Sequence, residues 1–144
     1  MNSPCPPKLD QHLCFALYST SLKLTQLYKP MLEQLNLTYP QYLVMVVLWE
    51  KEGLGIKDLA EKLQQDSGSI TPVVQRLESE GYLNRTRDPN DQRSLILTLT
   101  EAGKALKAEA YQVNQSIKDA CASCDTEIAS LLHSLVDLRT KLSR

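Results

Sequence analysis

The feature that most constrains the fold of this chain is the stretch from Ile56 to Leu99, where two helical patterns precede two extended ones. The first helical pattern places four apolar residues on one face: Ile56, Leu59, Ala60 and Leu63. A break rich in helix-capping residues follows, and then a second apolar stripe: Ile70, Val73, Val74 and Leu77. Pro72 fits a helix only in its first turn, where its missing N–H is not needed, so we expect Ser67 or Ser69 to be the N-cap.

The end of the second helix leads into a predicted β-hairpin. Gly81 suits the left-handed position just past a helix. Two extended segments follow, Tyr82–Arg87 and Ser94–Leu99, with a turn at residues 88–91 between them. This order is typical of a winged helix, which places one helix in the major groove of DNA and the hairpin tip beside it. We therefore predict a mainly α fold with a small β-hairpin wing, and a winged helix-turn-helix module at residues 56–99.

The outer face of the second helix and the wing carry groups that suit DNA. If the helix buries its apolar stripe, it presents hydroxyl, amide and guanidinium groups, which bond to base edges and phosphates: Ser69, Thr71, Gln75, Arg76 and Ser79. Three arginines flank the hairpin tip: Arg85, Arg87 and Arg93. The alternative is an ordinary solvated face. The net charge of −1 does not indicate a nucleic-acid partner, so phosphate affinity would depend on these local charges, doubled in a dimer.

The rest of the chain is predicted to form helices around this module. A long helical pattern spans Leu9–Leu35, and we expect Pro30 to kink or interrupt it. A buried helix over Gln41–Glu52 follows the expected N-cap Thr38. From residue 104 onward, apolar residues recur at steps of three and four, which leaves open whether this region is one helix or two. We predict a single domain over residues 1–144, in which residues 1–35 and 104–144 form a helical dimerisation layer.

Length and composition narrow the class of protein. The 144 residues, 42% of them hydrophobic, match one globular domain. No apolar run approaches the length of a membrane span, and no signal-peptide core follows Met1, so we expect a cytoplasmic protein with no membrane partner. Thiols stay reduced in that compartment. The four cysteines are therefore expected to be core residues, metal ligands or redox groups: Cys5, Cys14, Cys121 and Cys124.

Four runs of residues resemble the MarR family of bacterial regulators: residues 66–72, 76–81, 91–93 and 97–103. The resemblance implies a dimeric winged-helix protein that binds double-stranded operator DNA and is not an enzyme. It implies that Arg93 reaches toward the minor groove and that Asp91 positions it. Four residues would occupy recognition-helix positions: Ser67, Ser69, Thr71 and Gln75. Arg76 matches a family arginine that binds phosphate or pairs with an acidic neighbour such as Asp66.

Three further runs resemble one branch of this family, the organic hydroperoxide resistance regulators: residues 13–18, 28–30 and 37–43. The resemblance implies that Cys14 is a peroxide sensor and that an organic hydroperoxide is the inducer. It also implies that Tyr28 and Tyr39 hydrogen-bond the sulfur across the dimer interface, with Tyr18 near the same pocket. No cofactor is expected.

The residues around Cys14 are compatible with this chemistry. A thiolate rather than a thiol attacks an O–O bond, and hydrogen bonds from two phenols would stabilise the charged sulfur. The neighbours Leu13, Phe15 and Leu17 would provide an apolar pocket suited to alkyl or fatty-acid hydroperoxides. Without the resemblance, a cysteine among such residues is more commonly an inert buried side chain.

Oxidation of Cys14 would produce a sulfenic acid, which condenses readily with a second thiol. The resemblance implies a resolving cysteine in the C-terminal helices of the partner chain, the region that contains Cys121 and Cys124. We favour Cys121. Both cysteines also lie on the apolar stripe and could be small core residues.

Three other functions stay open. A thiol oxidoreductase could use Cys121 and Cys124, but the βαβ context of that motif is not visible. A metal sensor could add His12 and His133 to those cysteines, although the spacing matches no common zinc pattern. The closest alternative is a MarR regulator that releases DNA on binding a small phenolic ligand, with Cys14 structural. Either regulator would require a palindromic operator with half-sites about one helical turn apart.

Overall fold

The computed structural model describes residues 8–121 and 125–143, which form helices and one hairpin. A 3₁₀ turn at Leu9–Gln11 precedes the main elements: α1 (Leu13–Gln34), α2 (Tyr39–Glu50), α3 (Ile56–Lys62), α4 (Ser67–Ser79), β1 (Leu83–Asp88), β2 (Asp91–Leu99), α5 (Glu101–Cys121) and α6 (Asp125–Leu142). The predicted mainly α fold with a β-hairpin wing is confirmed. The chain forms two compact units that divide within α5, after Val113. Within the described ranges, no helix combines the length and apolarity needed to cross a membrane.

Helix α1 changes character along its length. It continues through Pro30 to Gln34, so of the expected kink or interruption at Pro30 the interruption does not occur. The proline removes only one backbone hydrogen bond, and the following turn is held in the core, where Leu32 is 1% exposed. Six earlier apolar side chains of α1 are exposed in one protomer: Leu13, Phe15, Leu17, Tyr18, Leu22 and Leu27. Only the C-terminal part of α1 therefore belongs to the core of the first unit.

Helix α2 begins as expected, with Thr38 as its N-cap. The Thr38 hydroxyl accepts a hydrogen bond from the backbone N–H of Gln41 (3.3 Å), and the Gln41 side chain accepts one from the backbone N–H of Thr38 (2.9 Å). This reciprocal capping box satisfies two backbone donors. The helix ends at Glu50 rather than Glu52. Six of its residues are buried: Gln41, Tyr42, Val44, Met45, Val47 and Leu48.

Asp66, and not a serine, caps the recognition helix α4. Its carboxylate accepts a hydrogen bond from the backbone N–H of Ser69 at 2.8 Å, so the expectation of Ser67 or Ser69 as N-cap is wrong. A carboxylate also interacts favourably with the positive end of a helix, which a hydroxyl does only weakly. Because α4 begins at Ser67, Pro72 is its sixth residue, and the predicted first-turn position is wrong too. Pro72 has no N–H to donate to the carbonyl of Gly68, but both residues are exposed, so water can donate to that carbonyl instead.

Helices α3 and α4 and the wing share one apolar core. Six side chains, each at most 1% exposed, lie at its centre: Leu59, Ile70, Val74, Leu77, Leu83 and Leu97. The periodicity of the sequence had placed most of these residues on inward faces. The two short helices are therefore held by tertiary packing, since isolated helices of this length are unstable in water.

The wing is an antiparallel hairpin whose ladder runs from the pair Leu83 and Leu99 to the pair Asp88 and Asp91. Strand β2 thus begins at Asp91, three residues before the predicted start at Ser94. The base of the wing is tied to the segment between α2 and α3 by two 2.8 Å backbone hydrogen bonds, from Leu97 to Leu54 and from Gly53 to Leu97.

A close contact joins the end of α4, the start of the wing and the start of α5. The Thr100 hydroxyl donates to the carbonyl of Gly81 (2.6 Å) and accepts from the N–H of Gly103 (3.0 Å). The N–H of Thr100 donates to the carbonyl of Tyr82 (3.2 Å). Gly103 lies so near Tyr82 that a Cβ at this position would overlap the Tyr82 carbonyl. We call Gly81, Tyr82, Thr100 and Gly103 the wing junction.

The C-terminal region contains two helices, which resolves the question that the periodicity left open. Helix α5 ends at Cys121 and α6 begins at Asp125. Five large apolar residues of α6 are exposed in the protomer: Ile128, Leu131, Leu132, Val136 and Leu142. The part of the predicted C-terminal stripe that lies on α5 is instead buried at Ala110, Val113 and Ile117.

We expect the substitution Gly103→Ala to lower the free energy of unfolding by about 2 kcal/mol, because the added methyl would force the backbone apart at the wing junction. Urea denaturation measures the change. The exposed neighbour Lys104 supplies the matched control, since Lys104→Ala should change stability by less than about 0.5 kcal/mol. A Gly103→Ala protein as stable as the wild type would contradict the close packing at Tyr82.

Candidate nucleic-acid interface and redox site

The outward face of α4 has the composition that the sequence predicted. Four of its polar residues are exposed: Ser67, Ser69, Gln75 and Ser79. Thr71 is half-buried, and its hydroxyl donates to the carbonyl of Ser67 at 2.7 Å. The buried stripe on the opposite side of α4 orients this face toward solvent. The face therefore presents hydroxyl and amide groups of the kind that contact bases and phosphates.

Arg76 lies on the same helix and pairs with a residue that the sequence analysis did not choose. Its Nε lies 3.0 Å from a carboxylate oxygen of Glu80, one turn later. Asp66, the acidic neighbour suggested from the resemblance, instead caps the helix. The side chain of Arg76 is 72% exposed, which leaves most of the guanidinium open to solvent. Its predicted contact with phosphate stays a prediction.

Arg85 links the wing to the recognition helix. Its guanidinium contacts the carboxylate of Glu78 through Nη2 at 3.0 Å and Nε at 3.1 Å, and its backbone N–H donates to the same carboxylate at 3.2 Å. The side-chain hydrogen bond from Arg85 is the main cause that lowers the pKa of Glu78. Because this pairing occupies Arg85, we leave it out of the DNA contacts proposed below.

The wing tip presents two further arginines. The carboxylate of Asp91 accepts from the backbone N–H of Arg93 (3.1 Å) and from its Nε (3.4 Å). Ser94 donates to the other carboxylate oxygen (3.2 Å). These hydrogen bonds, the backbone N–H of Arg93 first, lower the pKa of Asp91. The side chain of Arg93 is 94% exposed, so its charge is held at the surface. The second arginine, Arg87, donates a hydrogen bond to the carbonyl of Gln92 at 2.8 Å.

The predicted sensing cysteine Cys14 and the predicted tyrosine Tyr28 lie toward opposite ends of α1. Cys14 is the second residue of α1 and is exposed, in a turn whose backbone N–H groups favour negative charge. Tyr18 follows one turn later and is 66% exposed. Tyr28 lies fourteen residues after Cys14 on the same helix, and at 1.5 Å per residue this separation is about 21 Å. The structure therefore does not bring Cys14 and Tyr28 together within one chain.

The predicted tyrosines Tyr28 and Tyr39 are in contact with each other. Their ring centroids lie 5.0 Å apart in an edge-to-face arrangement. Burial raises the pKa of Tyr39, and burial together with the neighbouring Tyr39 raises the pKa of Tyr42. Tyr42 and Trp49 extend this cluster and were missed by the sequence analysis. Their positions three and ten residues after Tyr39, on one face of α2, were the available signal.

The remaining cysteines and His12 do not form a cluster within the described residues. Cys121 is half-buried at the end of α5, whereas Cys5 and Cys124 lie outside the described residues. His12 occupies the N-cap position of α1 without a side-chain capping hydrogen bond, and its Nδ1 lies 3.0 Å from the carbonyl of Lys8. Across residues 8–121 and 125–143, no group of three or more histidine, cysteine or acidic side chains is arranged to hold a metal ion.

Comparison with known proteins agrees with this geometry. Residues 26–110 match the family model described as "Transcriptional regulator SarA/Rot". The chain is 40% identical to the organic hydroperoxide resistance transcriptional regulator of Bacillus subtilis, over 91% of this chain and 89% of that protein. It superposes on reduced AbfR bound to DNA, a protein of Staphylococcus epidermidis, with 30% identity, a TM-score of 0.78 and coverage of 95% and 96%. It superposes on AbfR with a disulfide with 32% identity and a TM-score of 0.63, over 94% of this chain and 90% of that one.

The fold and the exposed polar face of α4 define a winged-helix DNA-binding regulator of transcription. The chain belongs to the MarR/SarA family of these regulators, together with the organic hydroperoxide resistance regulators. The family membership predicted from the sequence is thereby confirmed, as is the prediction that the protein is a regulator and not an enzyme.

We expect Arg93→Met to weaken binding to an operator duplex and to reduce the slope of log affinity against log salt concentration by about 1 for each protomer. Fluorescence anisotropy at several salt concentrations measures both quantities. Lys104→Met removes one positive charge away from the wing tip and should leave the slope unchanged. An unchanged slope in Arg93→Met would contradict a phosphate or groove contact by this residue.

The Glu78–Arg85 pair is expected to stabilise the fold in a pH-dependent way. Because the pKa of Glu78 is lowered in the folded protein, its contribution is present above the ordinary value of 4.5 and is lost as the pH falls through the lower folded-state pKa. Glu78→Gln should therefore be less stable than the wild type at about pH 7, and this difference should vanish toward about pH 3. Urea denaturation across this range measures it.

The matched control for this pH series is Glu109→Gln, which removes an exposed carboxylate from α5. Its stability relative to the wild type should not vary with pH in the same way. A Glu78→Gln effect of equal size at both ends of the pH range would show that the pairing with Arg85 is not its cause.

Proposed function

We propose that this protein is a transcriptional repressor that binds operator DNA as a homodimer and releases it when an organic hydroperoxide oxidises Cys14. The observation that carries this proposal is the position of Cys14. Its thiol is exposed on an uncovered apolar helix, about 21 Å from the tyrosine cluster of its own chain. A second copy of the chain would bring another tyrosine cluster to each thiol.

The apolar surfaces of single helices support the dimer. Large apolar side chains are exposed along α1 and, separately, along α6. Contiguous exposed apolar surface on a small protein marks an interaction site, because leaving it in water is unfavourable. We assign residues 1–35 and 104–144 to the dimerisation layer and residues 56–99 to the DNA-binding module, within one domain of residues 1–144. Leu32, Leu35, Ala110 and Val113 also belong to the core of the protomer.

The sensing reaction is a two-electron oxidation of sulfur. The thiolate of Cys14 attacks the terminal oxygen of the hydroperoxide, an S–O bond forms and the O–O bond breaks. The alkoxide leaves with the electron pair of the O–O bond and takes up a proton to become an alcohol. Cys14 is left as a sulfenic acid, so the sulfur is oxidised and the hydroperoxide is reduced to the alcohol.

The tyrosines of the partner subunit would stabilise the reactive form of sulfur. A phenol can donate a hydrogen bond to a thiolate only while it keeps its proton. Burial raises the pKa of Tyr39, so its phenol stays neutral at physiological pH. Tyr28 lies against Tyr39 and supplies the second phenol, while Tyr18 shares the exposed side of α1 with Cys14. Hydrogen bonds to the charged sulfur favour the thiolate.

The sulfenic acid would then condense with a second thiol, releasing water and forming a disulfide. Cys121 is our preferred resolving residue and Cys124 the other candidate. The thiol of Cys121 is half-buried and not in a disulfide in the described structure.

DNA recognition would use the α4 face and the wing tip of both protomers on a palindromic operator. The proposed contacts come from Ser67, Ser69, Thr71, Gln75, Arg76, Arg87 and Arg93, with Asp91 orienting Arg93. Oxidation would change the spacing of the two recognition helices, so both could no longer enter successive grooves. Such a protein works in the cytoplasm, where its operator lies, and needs no cofactor for this chemistry.

A cavity of about 360 Å³ favours one alternative function. It lies between α1 and the start of α2, and its lining includes Lys29, Leu32, Leu37 and Tyr39. Its volume lies within the range of small-molecule sites, and its apolar groups, together with the charged side chains of Lys29 and Glu33, suit a small phenolic ligand. In this alternative, ligand binding rather than oxidation of Cys14 releases the DNA.

The deciding experiment is fluorescence anisotropy of a labelled operator duplex during titration with cumene hydroperoxide. We expect the wild type to lose at least about tenfold in affinity and to regain it after addition of a thiol reductant. Cys14→Ser should bind DNA like the reduced wild type and should not respond, because it lacks the reacting sulfur. Equal release from both proteins, or from neither, would contradict the proposal and favour the small-ligand alternative.

Cys121→Ser identifies the resolving thiol in the same assay. Without a resolving thiol, Cys14 should still react with hydroperoxide, but mass spectrometry under non-reducing conditions should find no intersubunit disulfide. Cys124→Ser provides the matched comparison at the neighbouring cysteine. A disulfide that persists in Cys121→Ser and disappears in Cys124→Ser would assign the resolving role to Cys124.

A further inference from the structure

A continuous series of aromatic contacts leads from the predicted sensing tyrosines toward the DNA-binding elements. The ring of Tyr42 lies 5.7 Å from that of Tyr28 and 6.3 Å from that of Tyr39. On its other side it lies 6.4 Å from the ring of Trp49, in an edge-to-face arrangement. Tyr42 is buried, so its ring cannot move far without displacing these neighbours.

Trp49 connects this aromatic series to the wing junction. Its indole N–H donates to the carbonyl of Gly103 at 2.9 Å, across fifty-four residues of sequence. The N–H of Gly103 in turn donates to the Thr100 hydroxyl, which donates to the carbonyl of Gly81 at the end of α4. One indole therefore contacts the aromatic cluster with its ring and the wing junction with its N–H.

We propose that Trp49 is a positioning residue that couples the oxidation state of the sensing site to the wing junction, and thereby to DNA affinity. The inference rests on the proposed function and adds the route by which oxidation reaches α4 and the wing. When Cys14 loses its thiolate, the phenols of Tyr28 and Tyr39 lose their acceptor and their rings change position. Tyr42 and Trp49 follow because they are packed against those rings, and the hydrogen bond to Gly103 transmits the shift.

The test uses Trp49→Phe, which keeps an aromatic ring against Tyr42 but removes the N–H donor. Reduced Trp49→Phe should bind the operator duplex like the wild type, and its Cys14 should react with cumene hydroperoxide at the wild-type rate. The ratio of the oxidised to the reduced dissociation constant should fall by about tenfold, since only the coupling is removed. A merely structural role would change stability and reduced-state affinity but leave that ratio intact.

Four variants control this comparison. Tyr42→Phe keeps the ring and should behave like the wild type, whereas Tyr42→Leu removes the ring and should lower the ratio as Trp49→Phe does. The combined Tyr42→Leu and Trp49→Phe protein should show no further loss, because both residues act in one series. Thr140→Val removes a side-chain hydrogen bond on α6, outside the series, and should keep the full ratio.

The outcomes separate this inference from the proposed function. A wild type that keeps its DNA after oxidation of Cys14 would overturn both. Release of DNA by Trp49→Phe to the same extent as by the wild type would overturn the coupling role alone. Trp49 is the single tryptophan of the sequence, so its emission provides a second readout in the wild type. Emission that changes on oxidation, but not in Cys14→Ser, would support the coupling; unchanged emission would overturn it.

Discussion

The close packing at the wing junction is the constraint on which the DNA-reading surface depends. A recognition helix and a wing can enter neighbouring grooves only if their spacing is maintained. Thr100 satisfies backbone groups from the end of α4 and the start of α5, and Gly103 permits the approach to Tyr82 that any larger residue would block. The Glu78–Arg85 pair forms a second link between α4 and β1. Two separate contacts thus hold the wing against the recognition helix.

The groups of the proposed sensing chemistry are separated from that surface and lie at different ends of one helix. Cys14 lies at the exposed beginning of α1, and Tyr28 lies near its other end, where the helix joins the core. A rigid helix prevents these groups from meeting within a chain, so the proposed sensor requires the same dimer that DNA recognition requires. The raised pKa of Tyr39 fits this division, because a half-buried phenol that keeps its proton can donate a hydrogen bond to a thiolate from the partner.

Most of the fold was predictable because its signals are local. The helical stripes, the Thr38 cap and the hairpin turn depend on residues within a few positions of each other, and the pairing of Asp91 with Arg93 spans two residues. Contacts between distant or competing groups were missed. Several residues before α4 could cap it, and only the path of the chain selects Asp66. The partner of Arg85 lies seven residues away on another element, so no helical or strand period indicates it.

The sequence by itself determined the class of fold, the polar face of α4 and the family, since periodicity and motifs depend on residues that are close together in the chain. The tertiary structure decided how far each charge is exposed: Arg85 pairs with Glu78 between two elements, while Arg93 pairs with its neighbour Asp91 and stays exposed. It also decided that Tyr42 and Trp49 join the predicted tyrosines to the wing junction. These relations arise from packing between elements far apart in the chain, where burial and hydrogen-bond geometry, rather than local pattern, select the partner.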